Sequence, residues 1–269
     1  MKKISFGQLI LQLPLLCAAL FFLSFISCSW ADETSTLQTQ QQIIELDTLI
    51  TLADDNIRQA NYEVALTLLT QAYELSKQMP NQEVSNTVLN SIANVYFNTG
   101  QFEQAERYYS ELVAIDENND DQAALAVSLF NLAHVNASLK NYADAEENFT
   151  RSLSITRTLD DESGTAFTLK AMGVNAQAQF NFDSARAYLN EALQSFETLN
   201  DDMQAAAVHR HLGDIAQDEL QYELAVREYE AALPFLSSNG FSMALLRTYR
   251  GLSTAYEKLE NYEKAFVSH

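Results

Sequence analysis

The apolar positions of this chain recur with two periods at once. Over short stretches they fall at spacings of three, four and seven, which gather them on one face of an α-helix. Over the whole chain they return every 40 residues. Six aromatic rings are each followed three positions later by alanine: Tyr62/Ala65, Phe102/Ala105, Tyr142/Ala145, Phe182/Ala185, Tyr222/Ala225 and Tyr262/Ala265. Four residues after the alanine stands a large apolar residue in five of the six blocks, Leu69, Tyr109, Phe149, Leu189 and Tyr229. Three further on the residue is usually small, as at Ala72, Ser152, Ala192 and Ala232, with Leu112 the exception. A fixed period of this length marks a stack of repeats, each burying its apolar face only against its neighbours.

A second helix is predicted upstream of each aromatic. Its columns are Leu52, Ile92, Leu132, Met172, Leu212 and Leu252, each followed by a small residue: Ala53, Ala93, Ala133, Gly173, Gly213 and Ser253. The small side chain is expected to let two backbones approach closely. Short polar turns such as Lys140-Asn141 and Glu260-Asn261 join the two helices, with Gly100 suited to a left-handed stop. Longer joints rich in Asp and Asn separate the units, among them Asp120-Asp121, Asp160-Asp161, Asn200-Asp201 and Ser238-Asn239-Gly240, and their acids suit helix N-caps.

These columns resemble the tetratricopeptide repeat, two antiparallel helices with a pattern of large, small, aromatic, alanine, large and small positions. The second unit carries it most fully, with Leu89, Ile92, Ala93, Tyr96, Phe102, Ala105, Tyr109 and Leu112. The common repeat has about 34 residues; the longer period here is similar to a 40-residue variety found in bacterial regulators. The resemblance implies an all-α fold, a right-handed α-α superhelix or solenoid of about six helix-turn-helix units. The expected organisation is a signal peptide at 1–31, a polar linker running into the first helix at 32–44, and a repeat array at 45–269. Its units lie near 45–80, 82–118, 121–158, 161–198, 202–238 and 241–269, the last incomplete.

Composition agrees with long helices, since only 7 Gly and 3 Pro occur in 269 residues. The net charge of −20 would repel phosphate backbones and anionic lipid, so nucleic acid is not expected as a partner. Lys2 and Lys3, an apolar run from Leu13 to Ile26 and the small residues of Ser29-Trp30-Ala31 predict a secretory leader cleaved before Asp32 and a periplasmic protein. Two alternatives stay open: a membrane anchor over residues 9–26, and a lipid on Cys28, because Phe25-Ile26-Ser27-Cys28 loosely resembles a lipoprotein box. Both cysteines, Cys17 and Cys28, lie in this segment, so a cleaved chain has no thiol chemistry.

In the family the first helix of each unit lines the concave groove, which makes its exposed side the expected binding face. There the second and third units present Asn90, Asn94, Asn131 and His134. The later units turn basic, with Lys170, Arg210 and Arg250 at one register, joined by Arg247 and His211. Such a row suits an acidic peptide segment or a terminal carboxylate; pairing with acids such as Asp214 and Glu257 is the alternative. Some members bind carboxylates through a clamp of Lys, Asn, Asn, Lys and Arg. Asn94 and Asn131 fall on its asparagine positions, but Asn90, Phe167 and Ala171 occupy basic ones, so the clamp itself is absent.

No catalytic motif, metal site or cofactor is expected. His209 and His211 are two apart on a helix, on different faces, and lack carboxylates at ligand spacing along the chain. The sixth unit stops in mid-helix at His269, leaving Ala265 and Phe266 with an incomplete partner, from which a longer gene product is expected. Two functions follow as expectations: a non-catalytic module binding a peptide or protein segment in the bacterial envelope, or the periplasmic sensor of a membrane-bound signal transducer, a diguanylate cyclase or histidine kinase. Membrane contact would come through the leader, Cys28 or a downstream segment.

Overall fold

The structure is a computed structural model that describes residues 40–79, 82–238, 243–261 and 263–265. The leader at 1–31 with both cysteines, together with Asn239, Gly240, Tyr262 and Phe266, lies outside the described residues. Eleven helices stand among those described: α1 (40–58), α2 (Tyr62–Ser76), α3 (Gln82–Asn98), α4 (Phe102–Asn118), α5 (Gln122–Ser138), α6 (Tyr142–Thr158), α7 (Glu162–Ala178), α8 (Phe182–Thr198), α9 (Asp202–Asp218), α10 (Tyr222–Ser238) and α11 (Met243–Lys258). The described residues contain no strand. The fold is an all-α solenoid of helix-turn-helix repeats.

The chain divides between Val95 and Tyr96 into two compact units. In the first, Leu46, Ala53, Ala65, Leu69, Ala72, Val88 and Leu89 are buried, and Ser85 donates a hydrogen bond to Ser76 at 2.9 Å where α3 passes α2. In the second, a continuous core runs from α5 to α9 through Phe149, Leu169, Leu189, Phe196, Val208 and Ile215. A further cluster joins α9, α10 and α11 through Ala216, Tyr229, Leu252 and Tyr256. From α4 to α11 consecutive helices pack in order, and the first helices of successive repeats also touch, α7 with α9 and α9 with α11.

The aromatic/alanine column explains its own period. Ala65, Ala105, Ala145, Ala185 and Ala225 are completely buried, because only a methyl group fits where paired helices come closest, and overpacking such a site costs about 1–3 kcal/mol. The small-residue column acts differently from the expectation. A Cβ on Gly173 would lie 2.6 Å from Leu189 Cγ, and one on Gly213 would lie 2.7 Å from Tyr229 Cδ1. The space is taken by the large side chain of the following helix more than by its backbone.

Helix ends also depart from the sequence reading. Asp121, Asp161 and Asp201 do cap α5, α7 and α9 by accepting from the backbone N–H three residues on. Of the second helices, α8 is capped by Asn181, while Asn61, Gln101 and Asn141 make no side-chain cap to α2, α4 and α6. Left-handed backbone extends far beyond Gly100 at φ 76°: Ala60, Lys140, Phe180, Leu220 and Glu260 share its register with φ of 59–66°.

Candidate ligand-binding face of the first helices

Helix periodicity places four positions of each first helix on one side, at relative spacing 0, 3, 4 and 7. In the second unit these are Val127, Phe130, Asn131 and His134 on α5, then Phe167, Lys170, Ala171 and Val174 on α7. The series continues as Ala207, Arg210, His211 and Asp214 on α9, and Arg247, Arg250, Gly251 and Thr254 on α11. The face therefore changes from apolar and aromatic at α5 to strongly basic at α11. Asn90 and Asn94, half-buried on α3, belong to the first compact unit.

The basic row is not a set of equivalent free cations. Lys170 is half-buried, with its Nζ 4.8 Å from the centre of the Phe167 ring and 5.7 Å from that of Phe196, and it donates to Gln204 Oε1 at 2.5 Å. Burial pushes its ammonium below the usual lysine range; Asp201 pulls the other way, and Arg210 adds to the depression. Arg210 pairs with Asp214 at 2.8 Å, so the pairing alternative holds at that position. Arg247 and Arg250 are exposed, and among the described residues neither forms an ion pair with Glu257 or any other acid.

His211 sits beside Arg210 with a defined proton position. A guanidinium can only donate, so Arg210 Nη2 donates to His211 Nε2 at 2.6 Å, which leaves the proton on Nδ1 to donate to Gln177 Oε1 at 3.2 Å. Burial, with the charges of Arg210, Lys170 and Arg247, pushes its pKa down to about 3. The ring is neutral and structural. His134 packs edge-on against Phe130 and Phe149, with ring centres 4.7 and 5.5 Å away, and burial with the Lys170 charge lowers it to about 4. His209 points elsewhere and meets Glu228 of α10 at 2.8 Å. That carboxylate comes from the next helix and was invisible to spacing along α9.

Arg210, Arg247 and Arg250 converge on one cavity of about 280 Å³, shared with Asp214, Gln217, Tyr229, Gly251 and Thr254. Tyr229 owes its place there to two glycines. A Cβ on Gly213 would stand 2.7 Å from its ring and one on Gly251 closer still, and the room they leave lets the hydroxyl reach Asp214 Oδ1 at 2.7 Å. Burial raises the Asp214 pKa, while the Tyr229 hydrogen bond and the Arg210 charge hold it down. Gln217 Oε1, on the same wall, is buried without a hydrogen-bond partner. The cavity thus offers two exposed guanidinium groups and a braced third one. Sequence reasoning named the arginines and offered Asp214 as a pairing partner, but missed Gln217, Tyr229 and Gly251 as walls of the cavity; writing all four face positions out by register would have found Gly251.

A family model of the tetratricopeptide repeat matches residues 84–158 and 131–198, and one of the Dor1-like family matches residues 19–99. No curated protein sequence matches the chain. Among solved structures, BtubC (BKLC) from P. vanneervenii is 19% identical with a TM-score of 0.59, covering 83% of this chain and 87% of its own. A Rap protein complexed with competence and sporulation factor is 17% identical with a TM-score of 0.67, covering 83% of this chain and 72% of its own. A signal transduction ATPase of the STAND type with a tetratricopeptide repeat sensor, from Pyrococcus horikoshii, is 20% identical with a TM-score of 0.69, over 81% of this chain and 34% of its own. At such identities the likeness speaks to fold alone, an all-α solenoid of helix-turn-helix repeats, within which residues 84–198 match the tetratricopeptide repeat.

Proposed function

We propose that this protein is a non-catalytic interaction module of the bacterial cell envelope that holds an acidic segment of a peptide or protein on the face of its first helices. One observation carries the reading: Arg210, Arg247 and Arg250, drawn from two repeats, line a common cavity in a chain of net charge −20. Gathering like charges is unfavourable unless an anion is received there, and guanidinium groups suit carboxylates by their planar, paired donors. The fold is compatible with such a role, since the Rap structure of the same fold was solved with a bound factor. The leader-like residues 1–31 support the envelope location.

The structure changes which residues test this. Lys170 and Arg210 are tied into the core, whereas Arg247 and Arg250 are exposed, so the informative variant is Arg247→Glu/Arg250→Glu. Binding of fluorescein-labelled peptides ending in Asp-Asp or Glu-Glu, followed by anisotropy, should fall at least tenfold in the variant while its melting temperature stays unchanged. Equal binding by both proteins would refute the reading. A second reading, the sensor region of a signal transducer, is favoured by the likeness to the STAND protein's repeat sensor; it involves the same face and is distinguished by the sequence encoded beyond His269.

A further inference from the structure

A second cavity lies on the same face, two repeats before the arginines. It has a volume of about 510 Å³ between α5 and α7, over the end of α6. Val127, Phe130 and Phe167 form its sides, while Ala126, Ser152 and Gly164 are small and leave the space open. The hydroxyls on its wall are already used: Ser152 donates to the Ala126 carbonyl at 2.8 Å, Thr156 to that of Leu153 at 3.1 Å and Thr168 to that of Gly164 at 2.8 Å. Asp161 at the rim accepts from the Gly164 N–H at 2.8 Å. A wall whose polar groups are satisfied internally gives water little to bond, and it favours an apolar occupant. Val127, 57% exposed, and Leu159, 46% exposed, leave apolar surface open at the mouth.

The two cavities lie along the same series of first helices, one between α5 and α7 and the other between α9 and α11. Phe167 belongs to the apolar cavity and lies directly under the Lys170 ammonium. The Lys170 charge acts on His211 together with those of Arg210 and Arg247, so the basic region begins where the apolar one ends. Building on the peptide-binding reading above, we infer that one extended segment bridges both cavities, placing an aliphatic or aromatic side chain between α5 and α7 and its acidic group between α9 and α11. The shared face and the Lys170 ammonium over Phe167 select this occupant over a separate partner: a segment held at the arginines and running along the face toward α5 arrives at the apolar cavity. Each step between touching first helices is roughly 10 Å, so two repeats are roughly 20 Å. At about 3.3 Å per extended residue the apolar anchor and the acid are separated by about six residues.

The test uses the full chain and labelled peptides with an Asp-Asp pair, a Gly/Ser spacer and a single Leu or Phe, in both orientations. Spacers of two and six residues are compared with an acid-only peptide of equal length. The six-residue spacer, in one orientation, should bind at least tenfold more tightly than the acid-only peptide, and the two-residue spacer no better than it. Val127→Glu, at an exposed position, should remove that gain and leave acid-only binding unchanged. If acid-only peptides bind as tightly as the anchored ones, the bridging inference falls while the acidic-segment reading stands. If no acidic peptide binds, or binding ignores Arg247→Glu/Arg250→Glu, both fall together.

Discussion

At the scale of single residues, the site was half legible. Lys170, Arg210 and Arg250 stand at one register and can be found with a ruler, yet their environments differ: Lys170 borrows partners from other helices, Arg210 pairs within its own helix and Arg250 is exposed. Phe196 and Gln204 reach Lys170 from α8 and α9, and no pattern within α7 announces them. Tyr229 likewise looked like one more large residue in its column, whereas Gly213 and Gly251 make it the brace for Asp214. Gly213→Ala should destabilise the fold by about 1–3 kcal/mol through overpacking against that ring; an unchanged thermal midpoint would mean the ring has another place to go. The neutral histidines give a pH signature. His134 and His211 are held down to about 4 and about 3, while an unfolded histidine titrates at about 6.5. Below that pH the unfolded chain takes up protons the fold refuses, so stability is full above it and is lost as pH falls towards 4. The limiting slope is about 1.4 kcal/mol per pH unit for each group. Asp116 and Asp214, raised by burial, bind protons earlier in the fold and offset part of the loss at the acid end. Chemical denaturation at pH 7, 6 and 5 should show falling stability, with a shallower slope in His211→Gln.

At the scale of elements, the 40-residue period predicted helix pairs correctly because apolar columns at helical spacing are a direct consequence of packing. What spacing could not supply is the offset between neighbouring like helices. Glu117–Arg151, Arg157–Glu191, Lys170–Gln204 and Gln177–His211 all join residues 34 apart, six short of the repeat. Successive like helices are thus shifted along one another by more than a turn, a tertiary property that a one-dimensional period does not contain. The turns were read as short polar joints with a left-handed stop at Gly100, and the left-handed backbone proves general to that register. Phe180 and Leu220 occupy the left-handed position with φ of 59° and 62° and are 76% and 69% exposed. Closure of the helix pair requires that backbone whatever the residue. An L-residue there costs roughly 1–2 kcal/mol, while glycine gives back about 0.5–1 kcal/mol in unfolded-chain entropy. Leu220→Gly should therefore raise stability by a few tenths to about 1 kcal/mol, measured by urea unfolding; a loss would show that the exposed leucine makes contacts worth more than the strain.

At the scale of the whole molecule, the charge of −20 and the arginine cavity act on an acidic partner with opposite sign and different range. Most acids serve as caps and surface groups spread over the chain, so their field is felt at distance, whereas the guanidinium groups act once the partner is docked. Ionic screening separates the two, because the Debye length shrinks from about 30 Å at 0.01 M salt to about 8 Å at 0.15 M. Long-range fields control encounter and short-range pairs control escape. For the acidic peptides above, the association rate should therefore rise as salt increases from 0.01 to 0.15 M, the reverse of the slowing usual when an anion meets a basic site. The dissociation rate should rise as well, as the Arg247 and Arg250 contacts are screened. Stopped-flow anisotropy at several salt concentrations reads both rates. Association that slows with salt would mean that the local field of the cavity outweighs the net charge even at a distance, and that the acids lie far enough from the face to leave the approach path positive.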